Sequence, residues 1–330
     1  MSRLLVVIPD DVPAEMAGSP ALKDLEQYAR VVVHNDRAED TTELFHRIRA
    51  ADAVVNVRAF SRFTADLLEQ CPKLKLISIL GTGTDNVDLD AAARHGVAVT
   101  TTPGVTAIQV AEHALALMLA AARQIPQKDR DMRTNAWPRG QILQLYGKTL
   151  GILGTGLIGR QVARLGKGIG MNVIAWTFHP DPALAESIGL SYVDRDDLFR
   201  QADIVSVHLR LTPETSHLIG AREFALMKKT AILVNTARGA ICDEAELVEA
   251  LAAGRIAAAG LDVFAVEPLP DSHPLTRVDN VVLTPHNGGM SREAVVTGAE
   301  QAVANVLNFF AGRPTNVITH PRVALSGGDQ

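Results

Sequence analysis

The sequence has no apolar run long enough to cross a bilayer. Its most apolar longer stretch, residues 114–122, falls far short of the roughly 20 residues that a membrane-spanning helix requires. The first residues, MSRLLVVIPDD, pass quickly from an apolar run to acids, which is typical of a first strand and not of a signal peptide. We therefore expect a protein with no membrane partner.

Positive charge is neither abundant nor clustered. The chain has 32 Lys and Arg residues against 37 Asp and Glu residues, for a formal net charge of -5 at pH 7, and the basic residues are dispersed. A nucleic-acid-binding domain would concentrate Lys and Arg on one stripe or face. The sequence therefore predicts no nucleic-acid partner.

Cysteine is almost absent, since the chain has only Cys71 and Cys242, far apart in sequence. Such a pair predicts neither a disulfide framework nor a thiolate metal site, and we expect no bound metal. Two lone thiols are typical of a reducing compartment, which favours the cytoplasm. We interpret Cys242, next to a helix start, as a small buried apolar residue.

Aromatic residues make up 4% of the chain, whereas hydrophobic residues as a whole make up 47%. This balance predicts a core built mainly from Ala, Val, Leu and Ile. At 330 residues the chain exceeds the size of one small core, so two domains are expected.

Short β-branched runs alternate with amphipathic stretches through the first hundred residues. Strand-like runs lie at 4–8, 31–34, 53–57, 76–80 and 97–100, with helix-like stretches at 41–49, 64–70 and 88–95. A second series begins at Lys148, with strand-like runs at 149–153, 172–176, 203–208, 231–234, 257–261 and 281–283. This alternation predicts parallel sheets covered by helices on both faces.

Between the two series, Thr102-Pro103-Gly104 interrupts the pattern. The following stretch, 106–125, is apolar nearly all round and predicts a buried helix. The charged stretch 130–147, which contains Trp137, is typical of an arm or a long connection. A last amphipathic helix is expected at about 291–310, followed by a loose tail.

A glycine-rich segment opens the second series. Gly154-x-Gly156-x-x-Gly159 follows an apolar strand-like run and begins a helix-like stretch, which is the context that a dinucleotide-binding turn requires. Gly154 permits the tight turn, Gly156 lets the backbone approach a pyrophosphate, and Gly159 lets the helix pack on the strand. The sequence thus predicts a nicotinamide dinucleotide site here.

The choice between NAD and NADP depends on the end of the next strand. An NAD site usually has an acidic residue there, bound to the ribose 2′-hydroxyl. Thr177 occupies that position, and no Arg or Lys follows to bind a 2′-phosphate. Because only His179 could supply positive charge nearby, the sequence favours NAD and leaves NADP as the alternative.

Three polar residues follow strand-like runs of the second series: Arg238 in NTARG, Glu267 in GLDVFAVEP and His286 in LTPHNGG. Because the carboxyl ends of parallel strands bind ligands in α/β sheets, we expect these side chains to converge. Together they suit acid–base chemistry on an anion. For the single residues, two alternatives stay open: Arg238 as a charged surface residue and Glu267 as an acidic residue in a turn. Asp262 is interpreted first as a residue that caps the backbone by hydrogen bonding.

A second glycine-rich turn, Gly81-Thr82-Gly83, also follows a strand-like run, but Asn86 stands where a third fingerprint glycine would be. We interpret this turn as a backbone site for a small anion, because its N–H groups can hold a carboxylate.

In their order and spacing, these motifs resemble the D-isomer-specific 2-hydroxyacid dehydrogenase family. The likeness runs from about residue 54 to residue 314. The matching segments are ILGTGTDNVDLDAAARHGVAVTTTPG, VAEHALALML, GKTLGILGTGLIG, LVNTARG, GLDVFAVEPLP and LTPHNGG.

The resemblance implies an α/β fold of two Rossmann-like, doubly wound parallel-sheet domains, with the active site in the cleft between them. It implies a substrate (catalytic) domain from residues 1–102 plus 291–330 and an NAD(P)-binding Rossmann domain from residues 103–290. Members are usually homodimers, which assigns the 130–147 stretch to a subunit interface.

The resemblance also implies a role for each site residue. His286 is the proton donor and acceptor, Glu267 orients it and favours its charged form, and Arg238 binds the substrate carboxylate and polarises the keto oxygen. The N–H groups of Thr82 and Gly83 match a second carboxylate clamp. Arg58 matches a substrate arginine of phosphoglycerate dehydrogenases. The positions that match the cofactor site are Gly154, Gly156, Leu157, Ile158, Gly159, Thr177, Leu209, Thr236, Ala237, Asp262 and Gly288.

The expected reaction is hydride transfer between a nicotinamide cofactor and a small D-2-hydroxy acid or 2-keto acid, such as glyoxylate or hydroxypyruvate. Phosphoglycerate oxidation is an alternative that Ile79 disfavours, because some of those enzymes have a basic residue at this position. A nucleotide-sensing binding protein on the same scaffold is a second alternative.

Overall fold

The computed structural model describes residues 3–57 and 60–319. Within these ranges the chain forms two compact units. The first unit comprises the described residues of Met1–Thr106 and Ser291–Gln330, and the second unit is Ala107–Met290. No helix in the described ranges combines the length and the apolarity that crossing a membrane would need.

The first unit is a six-stranded sheet in the order β13-β5-β4-β3-β1-β2. Its strands are β1 (Leu4–Ile8), β2 (Ala29–Val33), β3 (Ala53–Asn56), β4 (Leu76–Ile79), β5 (Ala98–Thr100) and β13 (Val317–Thr319). Its helices are α1 (Pro20–Tyr28), α2 (Thr41–Ile48), α3 (Ala65–Glu69), α4 (Leu89–Arg94) and α12 (Arg292–Phe310). Helices α1 and α12 cover one face, and α2, α3 and α4 cover the other.

Polar side chains mark the starts of several of these helices. Ser19, Asp40 and Ser291 each accept a hydrogen bond from the backbone N–H three residues further on, at 2.8–3.1 Å. Each bond satisfies one of the N–H groups that have no partner within the first turn.

The strand β13 was not predicted, since the sequence indicated a loose tail after α12. Instead, Val317 and Thr319 pair in antiparallel register with Thr100 and Val99. A strand of three residues is too short to leave a periodic pattern. Residues 320–330 lie outside the described part of the chain.

The second unit is a seven-stranded, all-parallel sheet in the order β12-β11-β10-β9-β6-β7-β8. Its strands are β6 (Thr149–Leu153), β7 (Asn172–Trp176), β8 (Ser191–Tyr192), β9 (Ile204–Val207), β10 (Ile232–Asn235), β11 (Ala258–Leu261) and β12 (Val281–Leu283). Its helices are α5 (Ala107–Ala122), α6 (Ile125–Arg133), α7 (Leu157–Gly168), α8 (Pro182–Ile188), α9 (Arg195–Gln201), α10 (Ala221–Leu226) and α11 (Glu244–Ala252).

The strand order of this second sheet reverses between β6 and β9. That reversal is the topological switch point at which Rossmann sheets bind dinucleotides. Helices α9, α10 and α11 cover one face, and α5 and α7 cover the other. The predicted doubly wound parallel sheets are confirmed in both units, with β13 as an added antiparallel edge strand in the first.

Helix α5 packs on α7, β10 and β11. The sequence predicted a helix buried nearly all round, but the structure buries half of its residues and leaves Ile108 57% exposed. The predicted arm, 130–147, begins inside α6, which has no buried residue, and continues without regular structure.

Candidate active site

Arg238, Glu267 and His286 follow three neighbouring strands of the second sheet. Arg238 comes after β10, Glu267 after β11 and His286 after β12, and these strands are adjacent. All three strands are parallel, so their carboxyl ends lie along one edge.

Glu267 and His286 are directly hydrogen-bonded. Glu267 Oε2 lies 2.6 Å from His286 Nδ1, and Glu267 Oε1 accepts the N–H of Phe264 at 2.9 Å. Burial raises the pKa of Glu267, but the hydrogen bond and charge of His286, the Phe264 N–H and the charge of Arg238 outweigh it. The pKa of Glu267 is therefore below its ordinary value. An ionised carboxylate thus orients the imidazole and leaves Nε2 for other partners.

The turn that carries Arg238 approaches the turn before Glu267 so closely that only glycine fits. A Cβ at Gly239 would lie 2.0 Å from the carbonyl carbon of Phe264 and 2.3 Å from the nitrogen of Ala265. Real Cβ atoms do not come so near to backbone, so Gly239 is required for this approach. Arg238, the residue before Gly239, is close enough for its positive charge to lower the pKa of Glu267.

A buried asparagine shapes the Arg238 turn from beneath. Asn235 is 1% exposed, and its Nδ2 donates to the carbonyl of Arg238 at 2.9 Å. Its Oδ1 accepts the N–H of Ala237 at 3.0 Å, and Arg238 Nη1 donates to the Ala237 carbonyl at 2.8 Å. These bonds fix the turn by satisfying its backbone groups.

The loop that carries His286 has an unusual backbone. His286 has φ +52°, in the left-handed region that residues other than glycine rarely adopt. The buried carboxylate of Asp262 holds the next two residues, accepting the N–H of Asn287 at 3.0 Å and of Gly288 at 2.9 Å. We infer that these bonds offset the cost of the left-handed conformation.

The pKa of Asp262 is below its ordinary value. Burial raises it, but hydrogen bonds from His113, Thr284, Gly288 and Asn287 outweigh the burial. Asp262 is thus a buried carboxylate that binds the His286 loop through the backbone, as the sequence interpretation preferred.

The predicted dinucleotide turn lies at the switch point of the same sheet. A Cβ at Gly154, whose φ is +95°, would lie 2.8 Å from the His208 carbonyl oxygen. One at Gly159 would lie 1.9 Å from the Gly154 carbonyl oxygen. Gly156 differs, because a Cβ there would meet nothing within 4 Å, and it caps the N-terminus of α7.

These glycines fit a dinucleotide. Two of them are required by the fold of the turn, whereas Gly156 leaves open space beside the first free N–H groups of a twelve-residue helix. Helix N-termini of this kind bind phosphate groups through N–H donors and the helix dipole.

Further predicted cofactor positions lie around the carboxyl edge of the second sheet. Leu157 and Ile158 form the first turn of α7, and Leu209 follows β9. The Thr236 hydroxyl, next to Ala237, is buried and has no hydrogen-bond partner among the described residues. An orphaned buried hydroxyl is a ready donor or acceptor for a bound ligand.

Thr177 directly follows β7, as predicted, and is partly buried. Trp176 before it and Phe178 after it make an edge-to-face contact with ring centroids 4.9 Å apart. The four described residues that follow β7, 177–180, include no carboxylate.

Two predicted substrate positions, Thr82 and Gly83, lie in the first unit. Arg58 is outside the described residues. The turn after β4 carries Thr82 and Gly83, whose N–H groups make no hydrogen bond within the described residues. The turn is anchored at Gly81, whose N–H donates to Thr102 Oγ1 at 2.7 Å. Free N–H groups on an anchored turn suit a carboxylate.

Comparison with known proteins identifies the family. The family model described as D-isomer specific 2-hydroxyacid dehydrogenase, NAD binding domain, matches residues 115–288, more than half of the chain. The chain belongs to this family. It is therefore an oxidoreductase of 2-hydroxy acids that uses a nicotinamide cofactor, as the motifs predicted.

Relatives within the family carry two different names. The chain is 43% identical over 316 residues to a glyoxylate reductase of Aeropyrum pernix, covering 92% of this chain and 94% of that protein. It is 41% identical over 307 residues to a D-3-phosphoglycerate dehydrogenase of Methanocaldococcus jannaschii, covering 92% of this chain and 58% of that protein.

A solved structure supports the fold. An acyclic imino acid reductase in complex with NADPH and D-Arg superposes with a TM-score of 0.85 at 26% identity, covering 96% of this chain and all of that one.

The sequence missed two polar residues of this site, Asn235 and His113. Asn235 lies within the quoted motif LVNTARG and His113 within VAEHALALML. Their positions in the sequence did not reveal them, because their contacts form only in the fold. Asn235 hydrogen-bonds to the backbone of the Arg238 turn, and His113 hydrogen-bonds to Thr284. A polar residue within a mostly apolar segment of the sequence was the signal available for each.

Proposed function

We propose that this chain reduces small 2-keto acids such as glyoxylate and hydroxypyruvate to the D-2-hydroxy acids, and catalyses the reverse oxidation. The observation that carries the proposal is the 2.6 Å bond between Glu267 and His286, on the sheet edge that also bears Arg238. An oriented imidazole beside a guanidinium suits a keto acid, which needs a proton at its oxygen and a cation for its carboxylate.

In this proposal the nicotinamide, when bound, supplies or accepts the hydride. His286 donates the proton to the keto oxygen from Nε2, because Nδ1 is engaged by Glu267. The carboxylate of Glu267 stabilises the protonated ring. Arg238 binds the substrate carboxylate with its planar fork and polarises the keto oxygen.

The first unit is proposed to be the substrate domain, as residues 1–102 plus 291–330, and residues 103–290 the NAD(P)-binding domain. The N–H groups of Thr82 and Gly83 would hold the substrate carboxylate, and Arg58 would contribute a further cation. Ile79, 4% exposed and packed in the core of the first unit, offers no charge to a phosphate. We therefore favour unphosphorylated substrates over phosphoglycerate.

NAD is the proposed cofactor, bound at Gly154, Gly156, Leu157, Ile158, Gly159, Thr177, Leu209, Thr236, Ala237, Asp262 and Gly288. The absence of Arg or Lys directly after β7 supports NAD. NADP is the alternative, since the imino acid reductase was solved with NADPH.

A substrate panel tests this function. The protein is mixed with NADH or NADPH and a series of 2-keto acids, with oxidation of the cofactor followed by absorbance. We expect glyoxylate or hydroxypyruvate to be reduced faster with NADH than with NADPH. Cofactor binding without turnover of any acid would favour the nucleotide-sensing alternative, and faster oxidation of phosphoglycerate would favour the phosphorylated one.

The His286→Ala variant tests the proton donor. We expect kcat to fall on the order of a hundredfold or more, as for loss of a general acid. The control is His46→Ala on α2, an exposed histidine of the first unit, which should keep the wild-type rate. An unchanged kcat in His286→Ala would refute the assignment.

We also propose a homodimer that forms through the arm of the second unit. A groove of about 510 Å³ is lined by the apolar residues Met132, Trp137 and Pro138 and by the basic residues Lys128 and Arg139, and Trp137 is 74% exposed. Tyr146, at 72%, adds a second large exposed ring. Exposed apolar groups of this size are typical of association surfaces. Two free buried cysteines support a cytoplasmic location.

Light scattering after size exclusion tests the dimer. We expect twice the chain mass of 35.3 kDa for the wild type and a shift to monomer for Trp137→Asp. The control is Tyr28→Asp, which changes a 64% exposed ring on the first unit. A monomeric wild type would refute the proposal.

A further inference from the structure

Three hydrogen-bonded side chains, those of Asp262, Thr284 and His113, form a polar chain between the His286 loop and helix α5. His113, in the second turn of α5, lies with Nε2 2.9 Å from Thr284 Oγ1 and 3.3 Å from Asp262 Oδ1. Thr284 immediately follows β12, two residues before His286. The contacts join a helix to a loop that lies 171 residues further along the chain.

The direction of each hydrogen bond follows from the proton count. The single hydroxyl proton of Thr284 points to Asp262 Oδ1, which lies 2.6 Å away and accepts it as an ionised carboxylate. Thr284 Oγ1 therefore has no proton left for His113. His113 must donate from Nε2, so its Nε2 carries the proton in the tautomer that this geometry selects.

Both oxygens of the Asp262 carboxylate also bind the loop that carries His286. Oδ1 also accepts the Asn287 N–H, and Oδ2 accepts the Gly288 N–H. The ring of His113 packs beside Gly288, since a Cβ added at Gly288 would lie 3.1 Å from His113 Cδ2. His113 thus touches the loop by hydrogen bonding at Thr284 and by packing at Gly288.

We propose that His113 is a positioning residue for proton transfer. By donating from Nε2 to Thr284 and Asp262, it orients the carboxylate that holds the left-handed turn of His286. The inference rests on the function proposed for His286. It extends that function to a residue on α5 that contacts neither Glu267 nor Arg238 in any hydrogen bond among the described residues.

Two amide substitutions separate positioning from packing. The Nε2 of glutamine can reach the place of the histidine Nε2, whereas the Nδ2 of asparagine corresponds to the histidine Nδ1. His113→Gln therefore keeps the donor, and His113→Asn loses it while remaining polar. The exposed neighbour Glu112→Gln is the matched control on the same helix.

We expect kcat of His113→Asn to fall about tenfold to a hundredfold, since a misplacement near 1 Å costs rate on this scale. His113→Gln should restore most of the lost kcat, and Glu112→Gln should change nothing. The dissociation constant for NADH should change less than kcat in each variant. Equal kcat values for His113→Asn and His113→Gln would overturn the proposal.

A double-mutant cycle extends the test to Thr284. Thr284→Val removes the hydroxyl with little change of volume, so it breaks the same chain at its middle. Because both groups act through Asp262, the effects of His113→Asn and Thr284→Val on kcat should not add. Multiplicative losses in the double variant would contradict a shared path. If His113→Asn fails to fold, Thr284→Val alone tests whether the chain is needed.

A readout without turnover keeps this inference separate from the proposed reaction. In protein labelled with ¹⁵N-histidine, the ring resonances of His286, assigned by comparison with His286→Ala, should shift in His113→Asn and stay near the wild type in His113→Gln. Identical His286 resonances in both variants would refute the positioning role. A wild type that reduces no keto acid would instead refute the proposed function, whatever the spectra.

Discussion

Gly156 gives the sharpest test of the dinucleotide turn. Its φ of −66° is accessible to any residue, and an added Cβ would meet no atom within 4 Å. Gly156→Ala should therefore fold normally without cofactor. If the open space is the place where the pyrophosphate meets the backbone, the same methyl group will interfere with binding.

The expected size of the effect follows from packing. One extra methyl group in a closely packed contact costs about 1–3 kcal/mol, which at about 1.4 kcal/mol per tenfold corresponds to roughly 5- to 150-fold weaker NADH binding. The free energy of unfolding without cofactor should change by less than about 1 kcal/mol, since glycine and alanine differ modestly at a helix N-cap.

Two other glycines of this region serve as controls. Gly168→Ala, in the last residue of α7, also meets nothing within 4 Å, so it should leave NADH binding unchanged. Gly159→Ala would put a Cβ 1.9 Å from the Gly154 carbonyl oxygen, so it should lower the melting temperature even without cofactor.

The assay is NADH titration by fluorescence or calorimetry, with a melting curve of each variant without cofactor. The reasoning is refuted if Gly156→Ala melts like the wild type and binds NADH with the same dissociation constant. In that case, the pyrophosphate does not approach the backbone at the N-terminus of α7.

Three further changes test separate parts of the structure. Glu267→Gln should lower kcat of keto-acid reduction on the order of a hundredfold, because the carboxylate that accepts from His286 Nδ1 and orients the ring is lost; a wild-type kcat would contradict this. Burial raises the pKa of Asp10 from 3.8 to about 6. Between pH 3.8 and about 6 the native protein therefore binds more protons at Asp10 than the unfolded chain does, and the protein loses stability as the pH rises through this range. Asp10→Asn should therefore raise the free energy of unfolding above pH 6 by up to about 3 kcal/mol. Asp11→Asn should lower the free energy of unfolding, since Asp11 accepts three backbone N–H groups. Denaturant titrations at several pH values measure both effects. Thr177→Asp should raise the preference for NADH over NADPH by placing a carboxylate near the ribose 2′ position; a shift toward NADPH in the ratio of kcat/KM would refute the placement of the end of β7 beside the ribose.

Strand ends were the most predictable part of the molecule. The strands β6, β10 and β12, which precede Gly154, Arg238 and His286, are mostly buried, so they read as near-continuous apolar segments, and a glycine or a polar residue marks the end of each. Their parallel order then implied one shared edge, where the structure bonds Glu267 to His286.

Contacts between segments distant in sequence were not predictable. The two-residue strand β8 and the three-residue β13 depend on neighbours for pairing and leave no period of their own. The role of Gly239 depends on how closely Phe264 approaches it, and that of His113 depends on Thr284. A single sequence reports residue type and spacing, but not which segments meet.

The antiparallel pairing of Val317 with Thr100 has a consequence for synthesis on the ribosome. The sheet of the first unit recruits its edge strand, and the helix α12 that covers one face, only after the whole of Ala107–Met290 has been translated. The inserted segment is continuous and can fold as it emerges, domain by domain. Until then α1 alone covers that face of the early strands, so the apolar surface that α12 later buries stays exposed on the nascent first unit and is open to aggregation.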